Sequence, residues 1–586
     1  FSHELANYGE YSGAPSEAQT FDYASTILGL QTRTYRTQEG KVLLIGGGIA
    51  NFTNVATTFK GIVRALRLHA SRLIESGELN GLLRLPGVKI YCRRGGPNYQ
   101  EGLDMIRTIG SKLNIPTEVY GPDDHMTSIV ARALGTIPDF EYKIRSQSIG
   151  IPAKVRPRRA IGVAASSTVS ECECKRPELE HVERSVPVEK LKSAPRVELF
   201  THNTRAIVFG LQHGAVQNML DYDFICGRSA PSVAAVVYPF MATHFHKFYW
   251  QTKETLIPVY QRLSEAMEKY PDVDVVINFS SFRSVYDTTV EILKYAPKIK
   301  TIAIIAEGVP ERRSRLLIKQ AQNKSVTLIG PATVGGIKPG CFRIGNTGGM
   351  LDNVIACRLY RPGSVAYVAR SGGMSNELNN IICRHSDGVA EGVAIGGDRF
   401  PGSTFIEHLR RFEADPVCKI LLLLGEVGGT EEYAVCDAIR RRELTKPLVA
   451  WCTGTCSVAF PYEVQFGHAG ASANAQRETA AAKNAGTSKC SQRASALKAA
   501  GAFVPTSFET IGQVLNMVYA KLVEAHEIDV KKEAPPPKFP MDYDWANKLG
   551  LIRKPSSFVS SIVDERGEEL VYGGMKITEV FSSNLG

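Results

Sequence analysis

The sequence has no uncharged apolar run approaching the ~20 residues that a membrane span requires. Its longest candidate, Ile420–Leu424 with its flanks, reads as a buried strand. Periodic glycine or proline is missing too. The 52 Gly and 30 Pro are scattered, which excludes collagen-like and coiled-coil classes. A strong charge bias is lacking: 69 basic and 59 acidic residues leave a formal net charge of +10. No stretch interleaves basic residues with aromatics on one surface, so a nucleic-acid groove is not expected. The Arg440–Arg442 triplet falls in a helical pattern and reads as a solvated face. The 12 cysteines form no dense framework. Cys172 and Cys174 make a lone C-x-C, and Cys452 and Cys456 have no second pair at zinc spacing. The opening residues carry no secretory pattern. Together with unpaired thiols this gives the expectation of a cytoplasmic protein with no membrane partner. The first residue is Phe1 rather than Met, and the chain enters mid-pattern, so it is read as a piece of something longer.

What is present is ordinary globular material. Hydrophobic residues make up 44% and charged residues 22% of 586 positions. At roughly 150 residues per domain this allows about three to five domains. Strand-length apolar runs recur, each ending at glycine or a polar turn and each followed by a helical pattern. They are Lys41–Ile45, Val88–Cys92, Ala206–Phe209, Val273–Asn278, Thr301–Ala306, Ser364–Val368 and Ile420–Leu424. Continuous Val/Ile/Leu strands alternating with helices predict an α/β fold. Several doubly wound, mostly parallel sheets, flavodoxin-like and Rossmann-like, are expected, joined by a flexible linker. Ligands in such folds collect outside the carboxyl ends of the strands, where these turns lie.

One segment breaks the rhythm. Residues 151–196 are rich in Pro, Ser, Arg, Glu and Lys without a sustained period, and open on Lys154, Arg156, Arg158 and Arg159. This is a linker composition. Ser166, Ser167 and Thr168 follow the basic cluster, where phosphorylation would set negative charge near arginines; an unmodified spacer is the competing reading. Pro535–Pro537 stop a helix. The expected blocks are therefore 1–150, a linker over 151–196, 197–335, 336–530, and a tail over 531–586.

The stretch richest in chemistry is Val464-Gln465-Phe466-Gly467-His468-Ala469-Gly470. Glycines on both sides make a bent loop and let backbone N–H groups approach a ligand. A neutral imidazole there is able to accept a phosphoryl group and pass it on; a loop histidine without a task is the alternative. Gly425-Glu426-Val427-Gly428-Gly429-Thr430-Glu431-Glu432 supplies a strand-end carboxylate that can hold one imidazole nitrogen and leave the other nucleophilic. Its glycines, Gly428 and Gly429, open a helix start suited to an anion. Arg370-Ser371-Gly372-Gly373-Met374-Ser375 is a second such turn, and Ala306-Glu307-Gly308-Val309-Pro310 and Ile329-Gly330-Pro331-Ala332-Thr333 are two more. Gly46–Thr53 makes a strand-to-helix turn whose N–H groups, Asn51 amide and Thr53 hydroxyl suit an anion. Arg94 at the next strand end is placed to grip a carboxylate. That turn lacks G-x-G-x-x-G spacing, which argues against a dinucleotide. His244 and His246 alternate as metal ligands do, but no third ligand lies nearby in sequence.

The order A-E-G-V-P, G-P-A-T-V-G-G-I-K-P-G, R-S-G-G-M-S-N-E, G-V-A-I-G-G-D-R-F-P-G, L-G-E-V-G-G-T-E-E and Q-F-G-H-A-G resembles the α-subunit pattern of the succinyl-CoA synthetase superfamily. F-K-G-I-V-R at 59–64 and R-R-G-G-P-N-Y-Q-E-G at 93–102 resemble its ATP-citrate lyase family, over nearly all of the chain outside the linker. The resemblance implies ATP- and CoA-dependent cleavage of citrate to acetyl-CoA and oxaloacetate for lipid synthesis. The intermediates it implies are a phosphohistidine, citryl phosphate and citryl-CoA. It implies His468 as the phosphohistidine, with Glu307 and Glu426 as motif carboxylates near it. Phosphate would be held at Gly372 and Gly373. It implies citrate at Gly13, Asn51, Phe52, Thr53 and Arg94, and CoA at Arg283, Ser284, Leu497, Lys498 and Phe508. Mg2+ would accompany ATP, with Glu426 its candidate ligand, and no prosthetic group is implied. Residues 1–150 would be the citrate-binding end of an ATP-grasp half, 197–335 a CoA-binding domain and 336–530 the ligase domain. The tail would lead toward a citrate-synthase-like module, and the full enzyme would be a homo-oligomer. With an ATP-grasp lobe expected before Phe1 and the lyase module after Gly586, the chain alone is expected not to complete the reaction. Departures from the pattern are Gly48, where the family often has serine, and an apparent insertion over 485–495 near the CoA stretch. A non-catalytic CoA- or nucleotide-binding scaffold, or an acyl-CoA synthetase subunit without lyase activity, are the alternatives.

Overall fold

The computed structural model describes residues 15–32, 41–75, 88–135, 198–251, 253–455, 464–465, 467–469, 471–473, 497–530, 532–537, 571–572 and 575–576. The linker with Ser166–Thr168, the 485–495 insertion and Gly13 lie outside them, as does most of the tail. The chain divides into two compact units, Phe1–Val130 with Glu198–Gly586, and Ala131–Val197. Of the second unit, 131–135 are described: the end of the Ser128–Ala133 helix and a turn.

The first unit is built on three sheets. The first joins β1 (Lys41–Ile49), β2 (Val88–Gly95) and β3 (Thr117–Tyr120), all parallel. The second contains β4 (Ala206–Phe209), β5 (Val233–Val237), β6 (His244–Trp250), β7 (Lys253–Tyr260), β8 (Val275–Asn278), β9 (Thr301–Ile304) and β10 (Thr327–Ile329). Its order is β10-β9-β8-β4-β5-β7-β6, with only β6 antiparallel. The third contains β11 (Gly335–Lys338), β12 (Phe342–Arg343), β13 (Val365–Ala369), β14 (Val389–Ala394), β15 (Ile420–Glu426) and β16 (Leu448–Thr453), in the order β12-β11-β14-β13-β15-β16. Its four longer strands are parallel and β11–β12 form an antiparallel edge. Helices cover both faces. Every residue of β4, β5, β13 and β15 is buried, the physical reason their sequences run apolar without alternation.

β1 is longer than its sequence suggests. The run was expected to end at Ile45, yet the strand carries Gly46–Gly48 and ends at Ile49, because β2 continues to offer partners as far as Gly95. The turn into the Val55–Glu75 helix is therefore made by Ala50–Asn54. The first sheet has its own core, including Val55, Phe59, Leu66, Ile90 and Ile106. The second and third sheets share one: a single cluster runs from Val208 and Phe248 through Ile329 to Val368, Leu423 and Ala450. The blocks 197–335 and 336–530 thus have separate sheets joined by one shared core cluster, beside a cluster that lies wholly or mainly in each.

The first sheet is fastened to the third chiefly through the helix Gly372–His385, with a further contact between His125 and Phe508. Glu377 of that helix accepts from Arg93 Nη1 at 2.6 Å and from the Ile49 backbone N–H at 2.9 Å. Both charged side chains are almost fully buried, at 1% and 4% exposure. The remaining guanidinium donors reach the carbonyls of Gly47, Pro122 and Asp124. Removing one partner from such a pair leaves a desolvated charge and costs about 3–5 kcal/mol. Glu377→Ala should therefore lower the urea midpoint by that order. Replacing Arg93 and Glu377 together by leucine should recover much of the loss. Arg384→Ala, which breaks the exposed Arg384–Asp123 pair, should change stability by less than about 1 kcal/mol.

Candidate functional site

Three parallel strands end side by side in the third sheet, and their carboxyl ends carry the site. β15 ends on Glu426, β13 runs into Arg370-Ser371, and β14 runs into Ile395-Gly396-Gly397. The His468 loop lies over them, closed by a two-strand hairpin of Val464–Gln465 with Ser472–Ala473. The Glu426 Oε2 atom is 2.7 Å from His468 Nδ1. An ionised Glu426 can only accept, so Nδ1 carries the hydrogen and Nε2 keeps the lone pair. The imidazole retains 28% exposure while the carboxylate has 10%. Gly397 explains the close seat of the ring: an added Cβ there would stand 2.5 Å from His468 Cδ2.

The two glycine turns expected to hold phosphate differ. The Gly372–His385 helix is capped by Ser371, whose side chain accepts from the Met374 N–H, and its first turn has no acidic residue. Gly372 must be glycine because Val334 packs where a Cβ would be, at 2.9 Å, whereas Gly373 is exposed. That start remains suited to an anion. The turn at Gly428 and Gly429, both at positive φ, leads into the Glu431–Arg440 helix. Glu431 and Glu432 occupy its first turn, and Glu432 accepts from the Glu426 N–H at 3.3 Å. The chain's own carboxylates already serve that helix dipole, which leaves the start at Gly372 and Gly373 the more favourable of the two for an anion.

The Asn51–Thr53 turn stands against the same helix start. Asn51 donates to the Gly372 carbonyl at 3.2 Å and accepts from Asn376, which also donates to the Ile49 carbonyl. Thr53 is buried, Phe52 is 48% exposed, and an added Cβ on Gly48 would contact Glu377 and the Gly373 carbonyl. Successive strand residues point to opposite faces. Arg93 takes the buried side, and Arg94 lies across Gly47, where burial lowers its pKa. The sequence singled out Arg94 and missed Arg93. Nothing local marks Arg93 as structural, since its partner is 284 residues away.

Other expectations separate in space. Glu307 is exposed and, among the described residues, makes no hydrogen bond or ion pair. Arg283 and Ser284 are exposed at the start of the Val285–Ile292 helix, beside the end of β8. Leu497 is a core side chain with 0% exposure, so its expected ligand contact is corrected to packing beneath the third sheet. Lys498 beside it is exposed. Phe508 packs elsewhere, its ring 5.4 Å from that of His125. The metal expectation at Glu426 also changes. Arg370 Nε is 3.2 Å from Oε1 and the imidazole N–H takes Oε2, so both oxygens already face cationic or donor groups. His213 supplies the third imidazole that the sequence lacked beside His244 and His246, with its ring 5.4 Å from that of His246. Yet among the described residues no three His, Cys, Asp or Glu side chains converge on a metal position.

The fold and site together define a CoA-ligase type of α/β protein with a carboxylate-held histidine. Residues 1–136 match the family model for ATP citrate lyase citrate-binding, 201–308 that for a CoA binding domain, and 368–492 that for CoA-ligase. ATP-citrate synthase of Homo sapiens is 54% identical over 591 residues, covering 100% of this chain and 52% of the human protein. Probable ATP-citrate synthase subunit 1 of Neurospora crassa is 58% identical over 402 residues, covering 69% of this chain and 58% of the relative. The solved structure of ATP citrate lyase from Methanothrix soehngenii in complex with citrate and coenzyme A superposes with a TM-score of 0.57 at 48% identity. It covers 66% of this chain and 61% of that one. The chain belongs to the ATP-citrate synthase family, and it spans about half the length of the full-length animal relatives it matches.

Gly397→Ala tests the seating of the ring. With no room for a Cβ, His468 should be pushed off Glu426 while the sheet persists. Selective 15N-histidine spectra should lose the hydrogen-bonded Nδ1–H of His468 with little change in circular dichroism.

Proposed function

We propose that this chain provides the citrate-binding and phosphohistidine parts of an ATP-citrate synthase. His468 is the phosphoryl carrier in this reading. Nε2 attacks the γ-phosphorus of ATP; an N–P bond forms as the bond to ADP oxygen breaks. Glu426 holds the Nδ1 hydrogen and offsets the positive charge that develops on the ring. A citrate carboxylate oxygen then attacks phosphorus, the N–P bond breaks, and citryl phosphate forms. The CoA thiolate displaces phosphate to give citryl-CoA, whose C–C cleavage yields acetyl-CoA and oxaloacetate. Asn51, Phe52, Thr53 and Arg94 would hold citrate, with Gly13 of the same assignment outside the described residues. Gly372 and Gly373 would hold the phosphoryl oxygens. Arg283, Ser284 and Lys498 are the candidates for CoA, and Glu307 for a second resting place of the histidine. Mg2+ would enter with ATP rather than through Glu426. A cytoplasmic homo-oligomer supplying acetyl-CoA for lipid synthesis completes the proposal.

The observation that carries this reading is the Glu426–His468 hydrogen bond, which leaves Nε2 as the nucleophile. The short connection from the Asn51–Thr53 turn to Gly372 supports it, since it sets the citrate candidate beside the phosphate candidate. The test is phosphoryl transfer from γ-labelled ATP with an ATP-grasp partner supplied in trans. Acid-labile, alkali-stable label is expected on His468, discharged by citrate, with CoA then releasing it as inorganic phosphate. His468→Ala should carry none, and Glu426→Gln should be slower by about 10- to 100-fold. Label that survives His468→Ala would overturn the assignment.

A further inference from the structure

We propose that Arg370 is a positioning residue that sets the tautomer of His468 through Glu426; the proposal deepens the phosphohistidine reading and rests on it. Arg370 follows β13 directly and is buried. Its main chain is fixed from both neighbouring strands: its N–H donates to the Leu424 carbonyl, and its carbonyl accepts from the Gly396 N–H. The guanidinium has three anchors. Nη2 donates to the Asp398 carbonyl at 2.6 Å, Nε lies 3.2 Å from Glu426 Oε1, and Nη1 lies 3.5 Å from Glu431 Oε1. The rigid fork of arginine suits such a three-way junction better than an ammonium would.

The groups around Glu426 explain why a cation is required. β13 contributes Arg370, the Gly467–Ala469 loop His468, the following helix Glu431 and Glu432, and the loop after β14 Asp398. β16 contributes Cys452, whose thiol faces Glu432. Glu432, Asp398 and Glu426 are all buried. Three glutamates therefore crowd one partly dry pocket around the guanidinium of Arg370, to which the Asp398 backbone carbonyl adds a further acceptor. Burial already pushes the Asp398 carboxyl above the usual carboxylate range, with Arg370 opposing the rise.

Without the guanidinium, desolvation and like charge would favour a protonated Glu426. The consequence falls on the imidazole. A protonated Glu426 donates its hydrogen to Nδ1 instead of accepting one, and the ring's own proton moves to Nε2. The nitrogen that has to attack phosphorus is then blocked. Arg370 acts through Glu426 rather than on the reacting nitrogen; it keeps the carboxylate an acceptor.

The test reads the proton directly. Selective 15N-histidine spectra of the chain, assigned by the signals lost in His468→Ala, are recorded between pH 6 and 9. In the parent chain the neutral ring should carry its proton on Nδ1 throughout. In Arg370→Met it should carry it on Nε2 at the acid end and return to Nδ1 as pH rises. Arg370→Gln retains a donor for the Asp398 carbonyl and should behave alike, which keeps the test open if the methionine variant does not fold. Arg370→Lys should preserve the parent tautomer. A ring that stays protonated on Nδ1 across the range in the Met or Gln variant overturns the proposal.

Phosphoryl transfer supplies the second readout. Arg370→Gln should slow labelling about tenfold or more at pH 6.5 and much less at pH 8.5. Combined with Glu426→Gln it should be no slower than Glu426→Gln alone, because both act through one carboxylate. Equal losses at all pH values, or losses that multiply in the double variant, would contradict the proposal. If the parent chain takes no label, the phosphohistidine reading falls, and the tautomer measurement still decides the role of Arg370.

Discussion

The buried ion pair between Arg93 and Glu377 is the constraint on which the site's geometry depends. Burying two charges is costly, and replacing such a pair by apolar side chains often loses little stability. Its value here is registry. Glu377 is held by Arg93 and by the Ile49 N–H, and Arg93 is held by three carbonyls from β1 and the loop after β3. Apolar packing would hold these elements together without fixing their register. With the pair in place, β1 ends where Asn51 can meet the Gly372 carbonyl and Asn376 can meet Asn51. Two loops more than 300 residues apart in sequence thereby become one surface.

A second polar chain runs through the third sheet and does different work. It passes from the Asp398 carbonyl through Arg370 and Glu426 to His468. The first network joins elements and the second directs a proton. Both use the start of the same helix: Arg370 directly precedes its Ser371 cap, and Glu377 lies within its second turn. The Glu431–Arg440 helix, with carboxylates in its own first turn, contributes to the electrostatics of Glu426.

Much of this was legible in the sequence for simple physical reasons. Strands buried on both faces must be apolar throughout, so Ala206–Phe209 could be read to the residue. Glycine after such strands marked the loops, and Glu426 at a strand end could be paired with His468 because strand ends converge in parallel sheets. Other features carried no local signal. The alternation of β2 assigns Arg93 and Arg94 to opposite faces without saying which face is buried. Gly46–Gly48 looks like a turn until the partner strand is known to continue. Leu497 and Phe508 are close in sequence yet serve different surroundings, because the connection passes from one core cluster to another within a few residues. His213 reaches His246 only through the packing of a helix on β6.

Exposure along the second chain has a direction. Side-chain exposure is 7% at Arg370, 10% at Glu426 and 28% at His468. The guanidinium is buried deepest, and the ring, which in the proposed function meets substrates, lies nearest solvent. The holds on these groups differ in the same sense. Arg370 is fixed by two strands and an internal carbonyl, while the described hold on His468 is one carboxylate, the face of Gly397 and a two-pair hairpin. The proposed role of His468, accepting a phosphoryl group and passing it on, would need that asymmetry. If the carboxylate moved with the ring, each departure would leave a buried guanidinium uncompensated, at several kcal/mol. With Glu426 tied to Arg370, the proposed carrier role lets the ring give up its hydrogen bond to Glu426, about 1–3 kcal/mol when charge-assisted, without displacing the carboxylate.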